Sequence, residues 1–159
     1  MAYIYPAPGV ANVQCVLTVY HTSKVADATG MVVPALQDIT VNNSNDVFTW
    51  TQLDAGSKLQ IATTATNSLA MNLVLDQTTF FGNALASANT AVKSGVFGLS
   101  KDKTLVEFDL YMGDESTGGA GKTINGKGYV TGLAPTVSAD SPVWVSPITI
   151  TVSGDYTVS

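Results

Sequence analysis

Thr104-Leu105-Val106-Glu107-Phe108-Asp109-Leu110-Tyr111-Met112 decides the fold class of this chain. Successive side chains of an extended strand point to opposite sides, so Val106, Phe108, Leu110 and Met112 share one face and Glu107, Asp109 and Tyr111 the other. The stretch is a half-buried strand with an acidic outer row. Toward the C-terminus, Asp114–Gly121 is a Gly- and Ser-rich loop. Ile124–Leu133 returns as a strand that carries Gly126, Gly128 and Gly132 on one face, where a missing side chain permits close backbone approach or a bulge. After a Pro135–Pro142 turn, Trp144, Ile148, Ile150 and Val152 alternate with Val145, Pro147, Thr149, Thr151 and Ser153 in a last strand.

Toward the N-terminus the period changes. Between Asp76 and Gly95, Phe81, Leu85, Ala88 and Val92 recur at helical spacing and predict one helix over about 78–94. Asp76 or Thr78 can cap its start, Lys93 faces the negative end of its dipole, and Gly95 stands where a left-handed residue would stop it. Ahead of the helix, Lys58–Ala65 and Ser68–Leu75 flank a Thr66-Asn67 turn, with Leu69, Met71, Leu73 and Leu75 on a core face. Leu36–Val41 and Val47–Leu53 flank the polar run Asn42-Asn43-Ser44-Asn45-Asp46, whose side chains favour a turn, and so predict a hairpin. Val13–Tyr20 is the first strand. The arm before it holds Pro6, Pro8 and Gly9 and cannot continue a ladder. His21–Pro34, with Gly30, reads as a long loop (21–35) of the kind that is often functional. The chain is mostly β.

At 159 residues the chain has the length of a single domain, 1–159. Its seven basic residues are all Lys; against 12 Asp plus Glu they give a net charge of −5, which leaves no basic patch to grip nucleic-acid phosphates. Charged residues are 12% of the chain, about half the usual share, beside 45% hydrophobic residues, a surface suited to packing against other protein copies. No run of 18 apolar residues appears, and Met1–Gln14 lacks the basic and apolar regions of an export signal, so neither a membrane partner nor export is expected. One Cys and one His provide neither a disulfide framework nor a zinc set, and no metal or cofactor is expected.

Several residue groups imitate chemistry. Ser116–Thr123 falls one residue short of a phosphate-binding loop, its first glycine being Ser116, and Lys122-Thr123 leads into turn and strand instead of a helix. His21 lacks a nucleophile and an orienting partner. Cys15 has no cation or helix start beside it to activate the thiol. Asp102, Glu107, Asp109, Asp114 and Glu115 do not have calcium-loop spacing and read as solvated strand and loop ends. Phe48, Trp50, Tyr111, Tyr129 and Trp144 could stack sugars in a carbohydrate-binding module, but as aromatics they suit core and subunit contacts better. No catalytic set emerges, and an enzyme is not expected.

From about Ser68 onward the order is apolar strand, helix, strand ending Tyr111-Met112-Gly113-Asp114, Gly-rich loop, strand Gly126-Lys127-Gly128-Tyr129-Val130-Thr131-Gly132-Leu133, then Ala139-Asp140-Ser141-Pro142 and the closing Ser146–Asp155. This order resembles the major tail tube proteins of long-tailed bacteriophages over roughly the last 90 residues; the first 67 match only in being β-rich. The resemblance implies a β-sandwich or barrel of about seven to eight strands with one flanking helix. Its copies would close into hexameric rings and stack into a hollow virion tail assembled in the host cytoplasm. Tape measure, tail terminator and distal tail proteins would be partners, and genome DNA would pass through the lumen without specific binding. Another tube-forming subunit, of a contractile tail or a secretion tube, is the alternative, and a sugar-binding β-sandwich a more distant one.

Two sets of residues are candidates for the surfaces of such a tube. Glu107 and Asp109, on the polar face of their strand, are candidates for a lumen that repels phosphate. Tyr3, Ile4 and Tyr5 of the arm and Met31, Val32 and Val33 of the long loop are candidates for contacts between subunits, being poor choices for segments left in water.

Overall fold

The structure, a computed structural model, describes residues 15–27, 29–33, 36–54, 56–85, 90–113 and 121–159. Its elements run β1 (Cys15–His21), β2 (Met31–Val32), β3 (Leu36–Thr51), β4 (Lys58–Val74), α1 (Thr90–Lys101), β5 (Leu105–Met112), β6 (Lys122–Thr131), β7 (Thr136–Ser138), β8 (Ser141–Val152) and β9 (Thr157–Val158). The strands join one antiparallel sheet in the order β2-β1-β5-β6-β8-β4-β3, with β7 on β8 and β9 on β6. The mostly β architecture, with one helix among the described residues, is as the sequence predicts.

The alternations place the core correctly. Leu69, Met71 and Leu73 of β4, Val106, Phe108 and Leu110 of β5, and Ile148 and Ile150 of β8 are all buried in one cluster. β1 and β4 are separated by β5, β6 and β8, which in a flat sheet would put them roughly 19 Å apart. Yet Leu17 and Val19 of β1 border the same void of about 10 Å³ as Met71 of β4, with Val96 and Leu99 of α1. The sheet must therefore roll upon itself, with α1 against the roll, and the void is at the lower limit of what a water molecule needs. The β6 glycines serve this closure. A side chain on Gly126 would collide with the Phe108 ring and one on Gly128 with the Thr151 backbone of β8.

Two expected turns are strand instead. β3 runs unbroken through Asn42–Asp46, and β4 through Thr66-Asn67, so the two short hairpins are one long hairpin whose connection is residues 52–57. The polar run makes its side-chain bonds across the ladder and not to its own backbone. The Thr63 hydroxyl donates to the Asp46 carbonyl (3.2 Å) and the Thr64 hydroxyl to the Asp46 carboxylate (3.0 Å), where the register shifts between Asn45 and Val47. Turn preference is a local bias, and a 17-residue partner strand overrides it.

The helix is displaced as well. Asp76 does cap, its carboxylate accepting from the amides of Thr79 (2.7 Å) and Phe80 (3.2 Å), but the cap opens only a single tight turn that ends at Gly82 with φ 90°. α1 spans Thr90–Lys101, and Gly95, at φ 67°, is non-helical and stops its first piece, as the sequence predicts, before a second short piece runs on to Lys101. At that break the amides of Val96 and Phe97 donate to the carbonyls of Thr79 (3.0 Å) and Phe80 (2.8 Å). Gly82 and Gly95 lie back to back at the crossing, each where a side chain would strike the other segment's backbone. Hence Phe80, Ala91, Val96 and Leu99 are core, while Phe81 and Leu85 of the predicted stripe are exposed and Ala88 lies outside the described residues.

Candidate functional site

The long hairpin has two unlike halves. From Asn67 to Leu73 every second residue of β4 is buried, whereas Lys58–Thr66 are exposed on both faces, so this half projects beyond the body. Its register sets Phe48 opposite Ile61 and Trp50 opposite Leu59, which puts all four on one face. The Phe48 and Trp50 rings stack with centroids 5.9 Å apart, yet Phe48 is 59% and Ile61 55% exposed. An apolar blade on a projecting arm is a contact surface without a contact in the monomer.

At the other end of β4, Leu75, Phe81, Pro135 and Trp144 line an open groove of about 420 Å³ whose polar rim is Asp76 and Gln77. The Leu75 amide donates to the Trp144 carbonyl (2.9 Å), extending the β4–β8 ladder to the groove floor. Trp144 is 52% exposed. The Phe81 ring is held edge-on to buried Phe80 with centroids 4.9 Å apart.

The candidate lumen residues are not free carboxylates. The segment after β1 folds over them: Lys24 forms an ion pair with Asp109, and its amide donates to Glu107 (2.9 Å). The Asn125 side-chain amide from β6 reaches Glu107 (3.1 Å) and Asp109 (2.6 Å). The Asp109 carboxylate raises the pKa of the Lys24 amine, and burial, followed by Asp109, raises that of the Tyr20 phenol. The pair thus presents about one net negative charge instead of two, which weakens its case as a repulsive band.

Of the candidate contact residues, Tyr3, Ile4 and Tyr5 lie outside the described residues. Met31 and Val33 are core, because residues 31–32 form β2 against β1 within the expected loop, and only Val32 is exposed. A two-residue strand is too short to leave a periodic signal, so its buried Met reads from sequence as a stranded apolar residue. Cys15 is half-buried, and burial raises the pKa of its thiol. His21 meets the Thr22 hydroxyl at 3.0 Å, and Lys122 and Thr123 open β6. Among the described residues no group of three His, Cys, Asp or Glu could hold a metal.

Sequence reasoning missed Leu59 and Ile61 as surface residues. The available signal is the mirror pattern Phe48, Trp50 and Leu59, Ile61 about the connection at 52–57, legible only if β3 and β4 are taken as one hairpin.

No family model matches the sequence, and no curated protein matches it. Solved structures do. The tail of an empty gene transfer agent particle, refined with six-fold symmetry, is 11% identical with a TM-score of 0.60 over 97% of this chain and 99% of that one. The SPP1 tail tube is 12% identical, TM-score 0.61, over 97% and 80%. The tube-terminating cap of the anti-feeding prophage is 14% identical, TM-score 0.59, over 100% and 94%. Nearly end to end, the chain has the fold found in these tail, tail-tube and tube-cap structures.

Proposed function

We propose that the chain is the structural subunit of a phage-like tail tube, which self-assembles into stacked six-membered rings around a channel for DNA. The observation that carries this reading is the projecting half of the β3–β4 hairpin, with its apolar blade on an otherwise charge-poor molecule. A monomer gains nothing from such an arm, whereas a heterologous contact repeated around and along an axis builds a tube from one polypeptide. The fold likeness supports a tail as the kind of assembly, and the likeness to a tube-terminating cap supports terminator-type partners at its end. A tape measure protein inside the channel and virion localisation belong to the same reading.

Negative-stain microscopy and light scattering of concentrated purified protein test it. Rings or hollow tubes are the expected result. A strictly monomeric protein, even with tail-initiator and terminator proteins added, would sink the proposal.

A further inference from the structure

We infer that the apolar blade of one copy seats in the Trp144 groove of a second copy, an inference that rests on the tube-subunit reading. Blade and groove are joined by a single strand. Leu59 lies near the start of β4 and Val74 at its end, 15 residues on, so the blade and the groove beside Leu75 are roughly 45–50 Å apart along the same element. The exposed projecting half does not fold back, and one molecule cannot satisfy both features itself. Two matching apolar surfaces at opposite ends of one subunit define a heterologous contact, which propagates from copy to copy.

Size and polarity agree. Phe48 and Ile61, more than half exposed, with the less exposed Leu59 and Trp50, meeting a groove of four apolar residues remove at most on the order of 350 Å² from water on each side. That is below the roughly 1,200–2,000 Å² total of a stable pair, so a single contact is weak. Each copy makes it twice, once as donor and once as acceptor, which suits an array better than an isolated dimer. Lys58 precedes the blade at the start of β4 but on the opposite face, at the tip of the arm, so the blade meets the groove through apolar side chains alone, with Asp76 and Gln77 at the groove rim.

The test uses the full chain with Cys15→Ala as background. Lys58→Cys is placed in one population and Gln77→Cys in another, both beside the contact and outside its apolar surface. Treated with a short bismaleimide under assembly conditions, the mixture should give covalent dimers, while neither population alone should. In parallel, Ile61→Asp and Trp144→Ser, each with an unchanged circular dichroism spectrum, should each raise the concentration needed for assembly roughly tenfold or more. Tubes without mixed cross-links would overturn this pairing and leave the tube reading standing. Cross-linking of the Lys58→Cys population alone would replace the pairing with a blade-to-blade contact. Failure of the unaltered chain to assemble at all would remove the tube reading and the pairing together.

Discussion

Asp27 ties the end of β1 to the start of α1 with one carboxylate. It is buried, and its Oδ2 accepts from the amide of His21 at the end of β1 (3.1 Å) and from the amide of Ala91 in the first turn of α1 (3.0 Å), 64 residues away. A carboxylate at a helix N-terminus meets both the unpaired amides and the positive end of the dipole. Asp27→Ala should therefore cost about 2–3 kcal/mol, since the buried Ala91 amide and the part-buried His21 amide lose their acceptor, and Asp27→Asn, which keeps an oxygen, about half of that. Urea denaturation measures both; a loss below about 0.5 kcal/mol for the Ala variant would mean that water reaches the site. A second residue-scale prediction concerns Tyr20 and Lys24, whose pKa values are both raised on folding. Each holds its proton more tightly folded than unfolded, so its contribution is complete below the unfolded pKa of about 10 and is lost as pH rises through the folded value. Asp109→Asn removes the main cause for Lys24 and the second for Tyr20. This variant should be less stable near pH 8 but lose stability less steeply between about pH 9 and 11. Parallel curves for variant and parent would show that Asp109 does not couple to either group.

At the scale of elements, what sequence reveals is what repeats over a strand. Leu69–Leu73 and Val106–Leu110 are legible because one face is core and the other is not, and they stay within one environment throughout. The projecting halves of β3 and β4 are legible as strands over Val47–Leu53 and Lys58–Ala65, but their continuity with the halves against the body is not: neither face is buried in the projecting part, so no alternation carries across the junction and the turn-forming residues Asn42–Asp46 and Thr66-Asn67 dominate the reading there. The helix fails for a different reason. Phe81, Leu85, Ala88 and Val92 match a helical stripe by count, but Gly82 inserts a left-handed residue that no periodicity registers. Gly95 is recognised as left-handed, yet its purpose, the crossing with Gly82, is tertiary. Gly95→Ala should consequently destabilise by about 3 kcal/mol or more, combining an unfavourable φ with a collision against the Gly82 backbone. Gly154→Ala is the control, because it shares the positive φ (87°) but meets no atom within 4 Å. Chemical denaturation of both variants separates conformational strain from crossing; equal losses would assign the whole effect to φ. Of the site itself, Trp50, Phe48 and Trp144 are visible in sequence as aromatics suited to contact, but their positions at opposite ends of β4 depend on the long hairpin.

The whole molecule sets apolar contact against like charge. Each copy carries a net charge of −5 and only 12% charged residues, so the blade and groove are apolar while the subunits that meet through them repel. Repulsion between copies acts over a Debye length, roughly 30 Å in 0.01 M salt and 8 Å at 0.15 M, whereas apolar burial is not screened. Any single exposed ion pair between copies is screened as well, and at about 0–1 kcal/mol it is small against the summed charge of every neighbour. Added sodium chloride should therefore lower the concentration at which the protein assembles, most steeply below about 0.15 M, with a plateau beyond it as the Debye length falls inside the contact distance. Lowering the pH toward the isoelectric point near 4.4 should act in the same direction for as long as the fold persists, because it removes the same charge by protonation. Sedimentation of assembled protein across a salt series decides the matter. Dissolution of tubes by salt would mean that ion pairs, not apolar burial, hold the copies together, and the contact would have to be sought among the Lys and Asp residues of the surface instead of at the arm.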